Sequence, residues 1–389
     1  MRHNWPLMEN NITKDDLSTL IAFLETAPIL TQSSNVRAFE REWSDWLGVE
    51  HSVFVNSGSS ANLLTLAALR ERDGTGEVIL SPFGWISDVV AVILNGFTPV
   101  FVDIDPRTLS MDNGLAIRHL NENTRAVLMT HVQGFNGLDE PLLGALSERG
   151  IPLIEDVCES HGATFGGARL GAFGTVSNFS FYYAHHMSTI EGGMISTNDA
   201  GLFQMARMMR SHGMIRESTD DSLKRRFTSA HPDLNPDFIF AHPGFNMRNT
   251  EIGAVIGRNQ LRRLDDNNRS RRRNFALFLS LLDPEMYRTD FRLEGSCNYA
   301  FNVILREPSP AVMDKVMHTL RQHRVEFRRG SAGGGNQLRQ PYLKDRVPDI
   351  DLGRFPELEH VHFYGLYLGN YPSLEEQDVR DLCEILNRV

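Results

Sequence analysis

The chain has 389 residues, of which 41% are hydrophobic and 23% are charged, which is typical of a globular protein with enough material for more than one core. Its formal net charge of −10 argues against general binding to nucleic acids or anionic membranes. No apolar run is long enough to span a bilayer, and the first residues lack the apolar segment of a secretory signal, so we expect a cytoplasmic protein.

From residue 15 the chain shows two amphipathic helices, at 15–26 and 34–47, the second with Trp43 and Trp46 on its core-facing side. From residue 53, short β-branched runs then alternate with longer helical stretches such as 60–70 and 87–94. The predicted strands are 53–55, 77–80, 99–104, 126–130, 152–156, 176–181 and 193–196. This alternation predicts a mostly parallel seven-stranded α/β sheet that binds ligands at the carboxyl ends of its strands.

After residue 200 the pattern becomes more helical and polar. The charged segment 216–236 is predicted to be a mobile loop, and a long helix is predicted from Asn249 to near Leu281. Residues 297–389 indicate a smaller α/β lobe that carries a glycine-rich loop at 330–335. We therefore expect a large domain at 1–250, and a connecting helix with a small C-terminal domain at 251–389.

The small residues at 56–62 lie between the first strand and a helix, where backbone amides can approach an anion closely. This segment predicts a phosphate-binding cradle, although ordinary helix capping explains such a sequence about equally well. Asp156 ends a strongly apolar strand, where a carboxylate can keep a pyridinium nitrogen protonated or serve as a cap. Trp85 follows another strand, and it either stacks on an aromatic ligand or packs in the core.

The segment from Ser180 to Gly193 is typical of the loop that anchors pyridoxal phosphate, but His185 stands where a lysine is expected. A lysine would hold the cofactor as a Schiff base, whereas histidine can transfer protons but cannot form that bond. The chain has only four lysines, and none follows an apolar strand beside a glycine-rich turn. We expect no metal at His185–His186, because adjacent side chains diverge and no further ligand is near.

Taken together, these motifs resemble the DegT/StrS-type sugar aminotransferase family from about residue 8 to the end. Within it the chain is most similar to the nucleotide-sugar 3-dehydratases, in which histidine replaces the lysine. The matching segments are 57–59, 101–105, 155–156, 180–181, 191–193 and 244–248. The resemblance implies the fold of fold-type I pyridoxal-phosphate-dependent transferases, like aspartate aminotransferase.

The resemblance also implies a role for each candidate residue, with pyridoxamine or pyridoxal 5'-phosphate as the cofactor. His185 would be the catalytic acid and base. The residues that would bind the cofactor are Ser59, Ser60 and Ser180 at its phosphate, Trp85 on its ring, Asp156 at its nitrogen, Glu159 near its hydroxyl, and Asn246 from the neighbouring subunit of a homodimer. His212, Arg248 and Arg328 are the candidate substrate contacts, with a structural role for His212 equally open.

The reaction implied is removal of the C3 hydroxyl from a 4-keto-6-deoxyhexose nucleotide, with GDP-4-keto-6-deoxy-D-mannose as the first candidate. L-Glutamate would regenerate pyridoxamine phosphate and ammonia would be released, as part of deoxysugar synthesis for lipopolysaccharide O-antigen. Some enzymes of this branch use an iron–sulfur cluster, but the three cysteines, Cys158, Cys297 and Cys383, fall short of the usual four ligands.

Two alternatives stay open. One is a nucleotide-sugar 4-aminotransferase that works without a Schiff-base lysine and transfers the amine to the sugar. The other is a catalytically inactive protein that still binds the cofactor, although the retained cradle, Asp156 and Trp85 argue against it.

Overall fold

The computed structural model describes residues 4–183, 185–344, 346–347 and 350–389. Its helices are α1 Lys14–Glu25, α2 Ser34–Leu47, α3 Gly58–Asp73, α4 Ile86–Leu94, α5 Asn113–His119, α6 Glu140–Arg149, α7 Ala200–Arg210, α8 Asp221–Ala230, α9 Glu251–Leu281, α10 Pro310–Gln322, α11 Pro341–Lys344, α12 Pro356–Tyr364 and α13 Glu376–Asn387. Its strands are β1 His51–Val55, β2 Glu77–Leu80, β3 Thr98–Phe101, β4 Thr124–Thr130, β5 Leu153–Asp156, β6 Thr164–Phe165, β7 Ala168–Arg169, β8 Val176–Ser180, β9 Gly193–Thr197, β10 Ala300–Ile304, β11 Arg328–Arg329 and β12 Gly365–Gly369. None of the described helices is both long and apolar enough to cross a membrane.

The main sheet has seven strands in the order β1-β9-β8-β5-β4-β2-β3, which confirms the predicted architecture. β8, β5, β4, β2 and β3 pair in parallel, whereas β9 is antiparallel to both of its neighbours. β4, β5 and β8 are fully or almost fully buried, as strands in the interior of a parallel sheet are, and so is β1. β8 is nevertheless partly polar, with Ser177 and Asn178 buried. The carboxyl ends of the parallel strands therefore meet at one edge of the sheet.

The two N-terminal helices pack on the long helix α9. Thr13 and Asp16 form a capping box at the start of α1, and the Asp16 carboxylate also accepts hydrogen bonds from Arg263 and Asn259 of α9. On α2, Trp43 is fully buried between Phe179 and Phe181, as predicted. Trp46 is only partly buried and contacts Trp43 with the two rings tilted by 39°.

A second, antiparallel sheet has the order β10-β12-β11 and follows α9 in the chain. The N-terminal segment reaches this sheet, because Trp5 Nε1 donates a hydrogen bond to the Gly369 carbonyl at 3.0 Å. The helices α10 and α13 pack against each other beside it. This second sheet matches the expected smaller α/β lobe, while the domain boundary at residue 250 remains a prediction.

The expectation of a loop throughout 216–236 was wrong, because helix α8 occupies Asp221–Ala230. Asp220 caps this helix by accepting hydrogen bonds from the amides of Ser222 and Leu223. Leu223 and Phe227, one turn apart on α8, pack against a small buried cluster that includes Ile215. A short apolar pair and a cap thus stabilise a helix whose remaining residues are polar.

Candidate active site

The predicted phosphate cradle lies where β1 leads into α3. Ser57 caps α3, with its Oγ accepting a hydrogen bond from the Ser60 amide at 3.0 Å. A Cβ at Gly58 would lie 2.6 Å from Ser180 Cβ at the end of β8, so only glycine lets these two segments approach so closely. Ser59 is exposed beside them. The first-turn amides of α3 and the side chains of Ser59, Ser60 and Ser180 therefore form a cradle suited to an anion.

Next to this cradle, buried carboxyl groups gather at the end of β5. Asn62 on α3 donates 2.7 Å hydrogen bonds to both Asp156 and Asp88, and Thr130 donates a further one to Asp88 at 2.7 Å. Burial and the nearby Asp156 raise the pKa of Asp88 well above its usual range. Among the described residues, no lysine or arginine forms a salt bridge with Asp88, Asp156 or Glu159. The cluster is therefore buried and acidic, and no cationic side chain of the described residues neutralises it.

Glu159 lies within the same cluster, one turn beyond β5. Its carboxylate accepts a 2.8 Å hydrogen bond from the Gln133 amide and a further one from the Tyr299 hydroxyl. Burial, reinforced by the charge on Asp156, raises the pKa of Glu159 to about 7. A group with this pKa can change its charge near neutral pH, which is a property of many catalytic carboxyls.

His185 lies in the loop between β8 and β9, at the same edge of the sheet. Its ring is 6.0 Å from the Tyr299 ring, in an edge-to-face arrangement, and its buried Nδ1 atom has no hydrogen-bond partner among the described residues. Burial lowers the pKa of His185 to about 4, although the charge on Asp156 opposes this shift. At neutral pH the imidazole is therefore uncharged and able to accept a proton.

His186 points elsewhere and has a structural contact. Its Nε2–H donates a 2.7 Å hydrogen bond to the Cys297 carbonyl, and burial lowers its pKa well below the usual range. The side chains of the two adjacent histidines thus have different surroundings. Of the pair, the geometry favours His185 for proton transfer.

Trp85 follows β2 and is 61% exposed, so its ring face is available for stacking. The glycine-rich loop 330–335 of the second sheet packs against the turn that carries it. A Cβ at Gly333 would lie 1.8 Å from the Gly84 carbonyl oxygen, and Gln337 Nε2 donates a 3.2 Å hydrogen bond to the same oxygen. The glycine-rich loop therefore borders the site.

The structure does not bring every candidate residue to this edge. Asn246 and His212 are exposed, and none of the contacts found in the described part of the chain joins them to the cradle. Asn246 accepts a 3.2 Å hydrogen bond from Arg248 Nε, and His212 holds a left-handed conformation with φ 65°. The segment that carries Asn246 nevertheless adjoins the cradle, because the Asn56 amide donates a 3.0 Å hydrogen bond to the Met247 carbonyl. The role of Asn246 from a second subunit stays a prediction.

Arg248 lines a cavity of about 330 Å³ at the β1 side of the sheet. The other arginines at this cavity are Arg37, Arg207, Arg210 and Arg216. Glu40 neutralises part of this charge through ion pairs of 2.6 Å with Arg210 and 3.5 Å with Arg207. Arg328 lies elsewhere, exposed on β11 opposite Tyr367.

Three further residues at the site were not predicted, namely Asp88, Gln133 and Tyr299, and the carboxyl contacts of Asn62 were not predicted either. Asn62 belongs to the predicted cradle segment. Its position one turn into α3 was the sequence signal that could have placed it at the site. Asp88 lies near the start of α4. An acidic residue there is ordinarily explained by its favourable interaction with the helix dipole, so it gives no sign of a site. For Tyr299 and Gln133 the sequence offers no local signal, because their contacts come from distant parts of the chain.

The chain matches the model described as the DegT/DnrJ/EryC1/StrS aminotransferase family over residues 10–387. It is 28% identical to the GDP-4-keto-6-deoxy-D-mannose 3-dehydratase of Yersinia pseudotuberculosis, over 99% of this chain and 98% of that protein. It is 29% identical to the GDP-perosamine synthase of Caulobacter vibrioides, over 94% and 93% of the two chains.

Among solved structures, the E. coli GDP-4-keto-6-deoxy-D-mannose-3-dehydratase with bound hydrated PLP superposes with a TM-score of 0.86 at 26% identity, covering 98% of this chain and 99% of that chain. The predicted family resemblance and the pyridoxal-phosphate-dependent aminotransferase fold are thus confirmed. Because the family match extends through almost the whole sequence, this chain belongs to the DegT/DnrJ/EryC1/StrS aminotransferase family.

Proposed function

We propose that the protein is a nucleotide-sugar 3-dehydratase that uses pyridoxamine or pyridoxal 5'-phosphate, with GDP-4-keto-6-deoxy-D-mannose as the first candidate substrate. The observation that carries this proposal is His185 at the position of a cofactor-anchoring lysine. All four lysines, Lys14, Lys224, Lys315 and Lys344, lie in helices, and none lies in the loop between β8 and β9. The chain therefore offers this site a proton-transfer group and no amine for a Schiff base.

The residues present fit the cofactor. The cluster of Asp88, Asp156 and Glu159 lacks a cationic partner from the described residues, and a protonated ring nitrogen beside Asp156 would supply that charge. Ser59, Ser60 and Ser180 would hold the phosphate at the start of α3, and Trp85 would stack on the ring. The E. coli relative with bound hydrated PLP supports this assignment.

When bound, the cofactor supplies an amine for the C4 ketone of the sugar and an electron-accepting ring. His185 serves as the base, because burial keeps its imidazole neutral, and it returns the proton to the departing C3 oxygen. Glu159, with a pKa of about 7, would be the group that holds a proton beside the cofactor ring. Overall, the sugar loses its C3 oxygen as glutamate becomes 2-oxoglutarate and ammonia, so glutamate supplies the two electrons.

The substrate side of the site is also part of the proposal. Arginine is suited to a nucleotide diphosphate, because its guanidinium group can donate paired hydrogen bonds to phosphate oxygens. Arg248 lies two residues from Asn246, so a homodimer that delivers Asn246 to the neighbouring cradle would bring Arg248 with it. Arg328 and His212 remain candidate contacts of the sugar nucleotide.

The decisive experiment incubates the purified protein with GDP-4-keto-6-deoxy-D-mannose, pyridoxamine phosphate and L-glutamate, and analyses the sugar nucleotide by mass spectrometry. We expect a sugar that has lost oxygen without gaining nitrogen, together with free ammonia. An amino sugar as the sole product would refute the dehydratase proposal. No turnover by protein that retains the cofactor would instead support a catalytically inactive protein.

The second candidate function is a 4-aminotransferase, which the 29% identity to a GDP-perosamine synthase favours. In that case the amine stays on C4 and no ammonia is released. The missing lysine argues against it, because an aminotransferase normally needs that amine both to anchor the cofactor and to move protons. The product analysis separates the two functions in one assay.

A further inference from the structure

Gln133 has a backbone conformation that few residues other than glycine adopt. It is fully buried just beyond β4, with φ 49° and ψ 27° in the left-handed region. Its amide donates the 2.8 Å hydrogen bond to Glu159 Oε2. A strained residue of this kind persists only where its surroundings hold it in place.

The residues that hold Gln133 come from the C-terminal part of the chain. Its Oε1 atom accepts a 2.8 Å hydrogen bond from the hydroxyl of Ser331, in the glycine-rich loop, and another from Nδ2 of Asn302 on β10. Its backbone carbonyl accepts a 2.9 Å hydrogen bond from Asn298 Nδ2. All of these partners are buried. The side chain of Gln133 thus contacts the second sheet and its loop, while the backbone amide of the same residue binds Glu159.

Ser331 is itself constrained, with a left-handed φ of 55°. The loop it belongs to also rests on the Gly84 carbonyl, through Gly333 and through the Nε2–H of Gln337, which donates to both Gly84 and Gly333. The glycine-rich loop therefore contacts both Gln133, next to Glu159, and the turn that precedes Trp85. These are the two sides of the proposed ring-binding position.

We propose that Gln133 is a positioning residue, which fixes the Glu159 carboxyl group and couples it to the glycine-rich loop, so that displacement of the loop releases Glu159. The role of Glu159 at a cofactor rests on the proposed function, whereas the coupling itself can be measured without cofactor or substrate.

Three variants separate the parts of this coupling. Gln133→Met keeps the length of the side chain but removes the acceptor for Asn302 and Ser331. Gln133→Glu retains that acceptor and adds a carboxylate beside Glu159. Ser331→Ala removes one hydrogen bond from the loop side alone. The control is Gln377→Met, which repeats the glutamine-to-methionine change on the exposed face of α13.

The first measurement is hydrogen–deuterium exchange of the cofactor-free proteins, followed at the amides of 328–337. Loss of two buried hydrogen bonds should raise exchange there about tenfold in Gln133→Met. A smaller rise of about threefold is expected in Ser331→Ala, and exchange close to wild type in Gln133→Glu and Gln377→Met. The amides of β4 should stay protected in every variant, which shows that each protein is folded.

The second measurement is the protonated-carboxyl band of Glu159 in infrared difference spectra, identified by its absence in Glu159→Gln. The groups that act on this carboxyl are Asp88, Asp156, Cys158, Tyr299 and Tyr367. The hydrogen bond from the Gln133 amide lowers the pKa of Glu159. Displacement of this amide in Gln133→Met should therefore raise the pH at which the protonated-carboxyl band disappears. Gln133→Glu should do the same through its negative charge.

The proposal is supported if loop exchange and the Glu159 titration change together in Gln133→Met and Ser331→Ala, while only the titration changes in Gln133→Glu. It is overturned if Ser331→Ala and Gln133→Met leave the Glu159 titration at its wild-type position, or if loop exchange in Gln133→Met equals that in Gln377→Met. A failed dehydratase assay would leave both readouts unaffected, since neither uses substrate.

Discussion

His185 is the residue on which the chemistry of this chain depends. Replacing it with lysine, His185→Lys, should restore a covalent link to pyridoxal phosphate, visible as a yellow absorbance that borohydride reduction removes. The reason is that the burial that lowers the pKa of His185 would also keep a lysine amine neutral and nucleophilic. Dehydration should be lost in the same variant.

The matched control is His323→Lys, which adds a lysine at an exposed position after α10. After reduction, mass spectrometry should find the cofactor on the peptide that contains residue 185 and not on the one that contains residue 323. Equal labelling of both variants would show that position 185 does not face the bound cofactor.

Glu159 should make the stability of the cofactor-free protein depend on pH. Its pKa is about 7 in the folded protein against an ordinary 4.5, so the folded protein holds a proton that the unfolded chain releases between these values. The contribution of Glu159 to the free energy of unfolding is therefore fully present below pH 4.5. This stabilisation, up to about 3 kcal/mol, is lost as the pH rises through 7. Glu159→Gln removes this titration.

The measurement is the free energy of urea unfolding at pH 5 and pH 8. We expect the variant to lose less stability than the wild type between these values. His185, whose lowered pKa makes stability fall below pH 6.5, is unchanged in both proteins and cancels from the comparison. An identical pH dependence in the two proteins would show that Glu159 titrates normally.

Among the elements, the docking of α2 on α9 depends on one carboxylate. Glu251, the first residue of α9, is buried and accepts hydrogen bonds of 2.8 Å from the amides of Ser33, Asn35 and Val36 at the start of α2. Glu251→Gln should cost about 2 kcal/mol in unfolding free energy, because an amide group offers fewer acceptors and no charge to the helix N-terminus.

Urea unfolding tests this cost against Glu307→Gln, an exposed position that should change stability by less than about 0.5 kcal/mol. If Glu251→Gln is as stable as Glu307→Gln, the carboxylate does not hold the two helices together.

Most elements were predictable because their signals are local. Apolar runs between turn residues predicted all seven strands of the main sheet, and Asp156 and His185 could be recognised because they lie at or just after strand ends. Helix α8 was missed because the basic run at 224–226 separates Leu223 from Phe227 and hides their helical spacing, although Asp220 was a usable cap signal. Gln133 and Tyr299 could not be predicted, because their roles arise from contacts with residues far away in the sequence. Gln133, for example, contacts Glu159, 26 positions away, and Ser331, 198 positions away.

Across the molecule, the site combines parts from both sheets. The main sheet supplies the cradle, the carboxyl cluster and His185 at one edge, while the second sheet supplies Tyr299 and the glycine-rich loop. Trp5 joins the N-terminal segment to the second sheet through its hydrogen bond to the Gly369 carbonyl. Asn246 is exposed, whereas Arg248 is half-buried and lines the arginine-rich cavity beside β1.

A shared active site predicts complementation between two inactive variants. His185→Asn and Asn246→Ala should each be nearly inactive as pure proteins, the first without its base and the second without a cradle contact. In a refolded equimolar mixture, half of the dimers carry one copy of each, and one of their two sites keeps both residues. Activity should therefore return to about a quarter of the wild-type value, measured as release of ammonia from glutamate. A mixture that stays inactive while gel filtration shows mixed dimers would place Asn246 in the site of its own subunit.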